Sequence, residues 1–391
     1  MHAPSSPAWL CCRAALGLAL TMAGGRAAEP GPAIDPAGFH DATHHWRAIK
    51  EPERVMQMVP DQPSYAATQV REIAANILRF QRANGGWPKD YDMLAVLTPE
   101  QEQALRESHE HRDTTFDNHT THTQVDYLAR AFAALGEPEY RAACERGLDF
   151  MLAAQYANGG FPQKWPAPKG IGAHITFNDG VMIGILDVLR AAGAGAPHFA
   201  WLDAGRREKA RAAVARGIDC LVRCQIRVEG RPTGWGQQHD EKTLETTSAR
   251  TFELACVSPA DTTEIVEFLL GVKQPSAEVI GAIDSAAAWL RRVQLDGIRV
   301  ERIPAPHAEF FRHNTDFDVV VVADPQAPPL WARTIEVGTD RPIFASRDGK
   351  KVYSLAEVDR ERRTGSGWYV TTPLRLLTRD YPAWRAKLKK S

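Results

Sequence analysis

Gln81-Arg-Ala-Asn-Gly-Gly86-Trp87-Pro-Lys89 recurs as Gln155-Tyr-Ala-Asn-Gly-Gly160-Phe161-Pro-Gln163, and again as Gln225…Thr233-Gly234-Trp235-Gly-Gln-Gln238. Gly86, Gly160 and Gly234 stand 74 residues apart, and the third copy carries about four extra residues between its Gln and its Gly. Helical apolar spacing leads into each Gln: Val70, Ile73, Ala74, Ile77 and Leu78; Tyr140, Cys144, Leu148, Met151 and Leu152; Val214, Ile218, Leu221 and Val222. The glycines are expected to stop these helices, because a left-handed residue makes a tight exit. A second helical pattern follows each loop: Val125, Leu128, Phe132 and Leu135; Val181, Met182, Ile185 and Leu189; Ile265, Val266, Leu269 and Leu270. A decayed fourth copy holds Ile280, Ile283, Ala287, Leu290 and Gln294. Two helices and a loop cannot bury their own apolar faces, so neighbours must stack. The spacing predicts a mostly α fold: an α/α toroid of helical hairpin repeats with a short-stranded C-terminal β region.

At the N-terminus Arg13 precedes an apolar run over 14–23, and Gly24–Ala28 supplies small residues. Residues 1–28 therefore read as a secretory signal, which predicts an exported protein, periplasmic or secreted. The run is too short to span a bilayer, so no stable membrane insertion is expected. Loss of Arg13 and Arg26 with the signal takes the formal net charge from −1 to −3, which offers no field for nucleic acid. Cys144, Cys220, Cys224 and Cys256 remain, as disulfides or as buried thiols, with Cys220 and Cys224 one helical turn apart. Residues 29–60 are Pro-rich and read as irregular. A single catalytic domain is expected over 61–391, with helical repeats over 61–298 and a strand-rich completion over 299–391. Its strands are expected at Phe317–Ala323, Leu330–Val337, Pro342–Ser346 and Lys351–Leu355, and 356–363 reads as solvated surface. A monomer is expected.

An acid opens each second helix: Asp117 with Asn118, Asp179 with Asn178, and Asp261. Each alone reads as an N-cap. Together, at equivalent helix ends of a toroid, they would converge on one mouth. Asp117, Asp179, Asn118 and Asn178 suit a hard cation, which outside the cell points to Ca²⁺. His109, His111, His119 and His122 offer a second metal reading, zinc. Loops near the mouth carry Trp87, Trp165 and Trp235 with Lys89, Lys164, Gln163, Gln237, Gln238 and His239. Exposed, the tryptophans would suit sugar rings; buried, they would plug the toroid. Arg250, Arg333 and Arg347 add side chains fit for bidentate carboxylate recognition or for structural ion pairs. Arginines over a cation-binding cleft imply an acidic sugar polymer.

Further motifs run in order over roughly 66–370: Asn84-Gly-Gly-Trp-Pro-Lys89, Asp117-Asn118, His174-Ile-Thr-Phe-Asn-Asp179, Gln237-Gln-His-Asp240, Ala249-Arg250, Trp331-Ala-Arg333, Arg347-Asp-Gly349 and Glu361-Arg-Arg363. On these residues the chain resembles the family 10 polysaccharide lyases, pectate lyases with an α/α-toroid catalytic module. The resemblance implies β-elimination of polygalacturonate. Ca²⁺ and arginines neutralise a uronate carboxylate, a base takes the C5 proton, and the C4 oxygen departs to leave a 4,5-unsaturated sugar. By resemblance Arg347 is the base, Asp117 and Asp179 are the essential acids, and Arg250 and Arg333 hold substrate carboxylate. Lys89, Trp87, His174, Gln163, Gln237 and His239 join them as substrate-binding residues. A guanidinium with a pKa above ~12 is a poor base, so Arg347 could instead stabilise charge while Lys89 or hydroxide takes the proton. Asp261-Thr262 stands where the family has Glu-Ser. Two other classes remain open: an α/α-toroid glycoside hydrolase, which needs two carboxylates flanking the bond, and a non-catalytic pectin-binding relative.

Overall fold

Each quoted Gln closes a helix. In the computed structural model, which describes residues 33–49 and 51–389, α2 (Val70–Phe80), α5 (Pro138–Ala154) and α7 (Ala204–Cys224) stop just before extended Gln81, Gln155 and Gln225. The expected signal over 1–28 lies outside the described residues. α1 (His40–Ala48) precedes the repeats and α3 (Pro99–Glu107) sits inside the first. α4 (His122–Leu135), α6 (Val181–Ala194) and α8 (Pro259–Leu270) are the second helices, and α9 (Ala277–Arg292) is the fourth copy. α4, α6 and α8 pack as an inner row, and α2, α5, α7 and α9 as an outer one. This is the α/α toroid.

The helix exit differs from the expected one. Gln81 Nε2 donates to the carbonyls of Gly85 and Ala143, Gln155 Nε2 to Gly159 and Ala213, and Gln225 Nε2 to Thr233 and Ala282, all at 2.9–3.0 Å. The second acceptor always lies on the next outer helix, so one carboxamide both turns the chain and ties its repeat to the next. The left-handed glycines come four residues later, at Gly85 (φ 94°) and Gly159 (φ 93°). A Cβ there would meet the backbone oxygen of Arg146 at 2.6 Å or of Arg216 at 2.1 Å. Gly234 is not left-handed; the hairpin Arg227–Val228/Arg231–Pro232 takes up the extra length.

Trp87 and Trp235 are core residues: of the two readings, plug and sugar platform, burial selects the first, and it corrects Trp87 as a substrate-binding residue. Both are fully buried, and their indole nitrogens donate to Ile77 and Leu221, each four residues before the repeat Gln. Buried Trp331 donates in the same way to Leu290, four residues before Gln294, so it completes the fourth repeat from the β region. A buried indole needs such a partner, and the helix carbonyl provides it.

The segment expected to be irregular over 29–60 contains α1, which buries Trp46 in the common core. Beyond α9, Ile298–Glu309 pairs antiparallel with Asn314–Ala323. Pro304 and Pro306 hid the first of these strands from the sequence reading. The strands expected over Leu330–Val337, Pro342–Ser346 and Lys351–Leu355 reduce to the two-residue pieces Trp331–Ala332, Phe344–Ala345 and Lys351–Val352. α10 (Arg360–Thr364) is half-buried rather than solvated, because Arg363 pairs with Asp318 at 2.7 Å. Cys144, Cys220, Cys224 and Cys256 are buried free thiols. Among the described residues no helix is long and apolar enough to cross a membrane.

Candidate active site

The acids are placed by a stitch repeated in each hairpin. Thr115 N donates to Trp87 O at 3.1 Å, Thr176 N to Phe161 O at 3.3 Å and Ser258 N to Trp235 O at 2.7 Å. Phe116 N then reaches Gln163 O in the next loop, and Phe177 N reaches Gln237 O, both at 2.9 Å. The residues that follow, Asp117 and Asn178-Asp179, are thereby held at the mouth ahead of α4 and α6. They do not cap helices. α4 and α6 start from Thr121 and Gly180 without side-chain caps, and at α8 it is Ser258 that accepts from Asp261 N. Asn118 (φ 52°) and Asp179 (φ 55°) are left-handed, a conformation that costs energy and clusters at functional sites.

Asp117 accepts from Lys89 Nζ at 2.7 Å and from Gln163 Nε2 at 3.0 Å. Burial pushes its carboxyl up, but Lys89 and Arg250 outweigh burial and hold it below the ordinary range. Asp179 has the opposite balance. Burial, then Asp117, push it up to about 7, with Arg333 opposing and Asp261 adding to the rise. Gln237, its amide oxygen turned to Arg333, accepts from Nε and Nη2 at 3.1 Å. Arg250 is paired with Glu253, and its charge reaches both Asp117 and Asp179. Arg347 is clamped by Glu361 at 2.7 and 3.0 Å.

Several roles expected from the motifs change once these partners are known. His239 is fully buried, with Nε2 accepting from Gly236 N at 3.0 Å and Nδ1 at 2.8 Å from Leu244 O, so it shapes the loop and is not free to bind sugar. Burial pushes it down to about 4. Asn118 Nδ2 donates to Asp90 Oδ1 at 2.6 Å, which fixes the carboxamide and leaves its oxygen as a candidate cation donor. His174 Nδ1 lies 3.6 Å from Glu241, and with Asp240 these form the one three-residue group among the described residues whose donor atoms fall within 4.8 Å of one another. His109, His111, His119 and His122 form no such group there.

The oxygens of Asp117, Asp179 and Asn178 are the donors that a Ca²⁺ ion would use at this mouth. The two carboxylates repel each other, and the neighbouring Asn178 Oδ1 is buried without a hydrogen-bond partner. Asp179 and Asn178 carry the oxygens here without a bonded counter-charge, as a hard cation requires, whereas Asp117 already holds Lys89.

The profile of the pectic acid lyase family matches residues 81–377. The chain belongs to that family. The family 10 polysaccharide lyase from Cellvibrio cellulosa shares 26% identity and a TM-score of 0.65, with 82% of this chain and 96% of that chain covered. An aspartate-to-alanine mutant of that lyase, in complex with trigalacturonic acid, also gives 26% and 0.65, over 80% and 94% of the two chains. No curated protein matches. The chain is thus a polysaccharide lyase.

In this lyase the sequence reading gave no role to Phe252 or Arg362. Arg362, Arg250 and Arg347 place their guanidinium carbons 3.9, 5.0 and 5.3 Å from the Phe252 ring centroid. Burial, aided by Arg347 and Arg250, pushes Arg362 down to about 10. Glu253 and Glu361 hold the outer two arginines. The spacing Arg250-Thr-Phe-Glu253 carried a signal for this cluster; Arg362, distant in sequence, did not.

Proposed function

We propose that the chain is an exported pectate lyase that cleaves polygalacturonate by Ca²⁺-assisted β-elimination. The observation that carries this reading is the Asp117–Asp179 pair. These are two buried carboxylates in mutual repulsion, faced by Arg250 and Arg333, and they call for a divalent cation together with an anionic ligand. The Cellvibrio complex supports an acidic oligosaccharide as that ligand.

Arg333 and Arg347 neutralise the uronate carboxylate, so that charge developing at C5 is stabilised as the proton leaves. Asp117 and Asp179 would hold Ca²⁺, which would supply further neutralisation of that carboxylate. Lys89 and Gln163 hold Asp117 in position, and Gln163, Gln237 and His174 are groups for sugar hydroxyls. The C5–H bond breaks, the pair forms the C4–C5 double bond, and the C4–O bond breaks with protonation of the leaving oxygen from water.

The resemblance puts the base at Arg347, but Arg250 suits the role better. Its charge couples to both acids, whereas Arg347 faces Glu361, Arg362 and His313. We assign the base to Arg250 and charge neutralisation to Arg347. Burial lowers Arg250, but Glu253, Asp117 and Asp179 outweigh it and hold the proton on. With a cation held at Asp117 and Asp179, their charge would no longer favour the protonated guanidinium. The positive neighbours Lys89 and Arg362 then favour the neutral guanidine.

Ultraviolet absorbance during incubation with polygalacturonate, with and without chelator, tests the reading. An absorbing product that disappears with chelator is expected. New reducing ends without absorbance would instead mean hydrolysis.

A further inference from the structure

The strands Ile298–Glu309 and Asn314–Ala323 turn through Phe310–His313, and Phe311 at that tip is 72% exposed. The next large apolar side chain among the described residues, Ile171, is 41% exposed. A lone exposed ring carries little meaning by itself; its surroundings carry the argument. The tip is held from two sides. On one, His313 Nε2 lies 3.0 Å from Thr364 Oγ1, and the His313 ring feels the charges of Glu361, Arg362 and Arg347. On the other, Arg312 pairs with Glu51 of the N-terminal segment, while its guanidinium carbon sits 5.4 Å from the Phe311 ring centroid. The turn is closed by Phe310 N donating to His313 O at 2.9 Å. A ring and a cation are thus fixed side by side on a tip whose His313 is within reach of the charges of Arg362 and Arg347.

We propose that Phe311 and Arg312 form an outer subsite for a galacturonate residue of the same polymer chain that occupies the cleft. The ring takes the apolar face of the sugar, and the guanidinium takes its carboxylate. Anchoring of the tip by Glu51 and Thr364 means that little ordering cost falls on binding. The subsite rests on the polygalacturonate reading above. It makes chain length, rather than the chemistry at C5, the property that this hairpin controls.

The test compares Phe311→Ala with the unaltered protein on trigalacturonate and on long polygalacturonate. KM for the polymer should rise about 2- to 10-fold, trimer kinetics should not change, and Phe311→Trp should restore the polymer KM. An equal change on both substrates, or no change on either, would overturn the subsite. So would a dimer in sedimentation that Phe311→Ala dissociates, because the ring would then belong to a contact between copies. If the unaltered protein releases no unsaturated product from either substrate, the lyase reading fails separately. Electrophoresis through polygalacturonate-containing gels then decides the subsite. Retardation lost in Phe311→Ala supports it, and equal retardation of both proteins overturns it.

Discussion

Lys89 Nζ donates to Asp117 Oδ2 at 2.7 Å and stands 3.6 Å from Asp90, so one ammonium bridges two buried carboxylates beside the acid pair. Burial alone would lower Lys89, but Asp117 and Asp90 outweigh it and raise its pKa. The ammonium therefore stays charged through neutral and alkaline pH, and Lys89 orients Asp117 rather than taking a proton. Lys89→Arg, which keeps the charge, should retain turnover within about tenfold of the unaltered protein, because charge and hydrogen bonding are what the site uses. A loss as deep as that from removing a general base, roughly 10²–10⁴-fold, would restore Lys89 as the proton acceptor.

The two arginine roles separate by conservative substitution. Arg250→Lys should lose roughly 10²–10⁴ in kcat, since a lysine head cannot reproduce the position of a guanidine nitrogen at C5. Arg347→Lys should lose much less, because it keeps the neutralising charge beside Glu361. Near-normal turnover by Arg250→Lys with a collapse in Arg347→Lys would return the base to Arg347.

Asp179 links stability to pH in a defined direction. Its carboxyl titrates near 7 in the fold, against about 4 in an unfolded chain. Between those values the folded state binds the extra proton, so this group makes stability fall as pH rises from about 4 to about 7. Asp179→Asn should abolish turnover. In metal-free buffer its unfolding temperature should gain on that of the unaltered protein as pH climbs through the window. A variant that falls behind as pH rises would show that the carboxylate is stabilising when charged.

Gln155 offers a test of the repeat stitch away from the chemistry. Gln155→Ala leaves the Gly159 and Ala213 carbonyls without their shared donor, at a cost of about 1–3 kcal/mol per unsatisfied group. Denaturant unfolding should register a loss of that order with kcat unchanged. Unaltered stability would mean that the close approach of Gly159 to Arg216, rather than the carboxamide, joins the repeats.

Trp235→Ala should destabilise by about 3–5 kcal/mol, since the ring is fully buried and its indole nitrogen bonds Leu221 at 2.7 Å. A variant with normal stability and impaired polymer binding would return this tryptophan to the sugar surface.

The sequence by itself determined the array. Gln81, Gln155 and Gln225 recur in register with the apolar patterns of α2, α5 and α7, and that periodicity is local enough to read without coordinates. It also marked Asp117 and Asp179, which occupy matching places in consecutive repeats. The tertiary structure alone decided what these groups face. Whether Trp87 meets sugar or core depends on the helix carbonyl that reaches its indole. Asp117 and Asp179 titrate in opposite directions because Lys89 attends one of them while neighbouring carboxylates crowd the other. The ring of arginines on Phe252 joins residues 250, 347 and 362, and Arg312 finds Glu51 across most of the chain. Burial, charge coupling and stacking act between residues that are close in space, and a linear pattern records only those close in sequence.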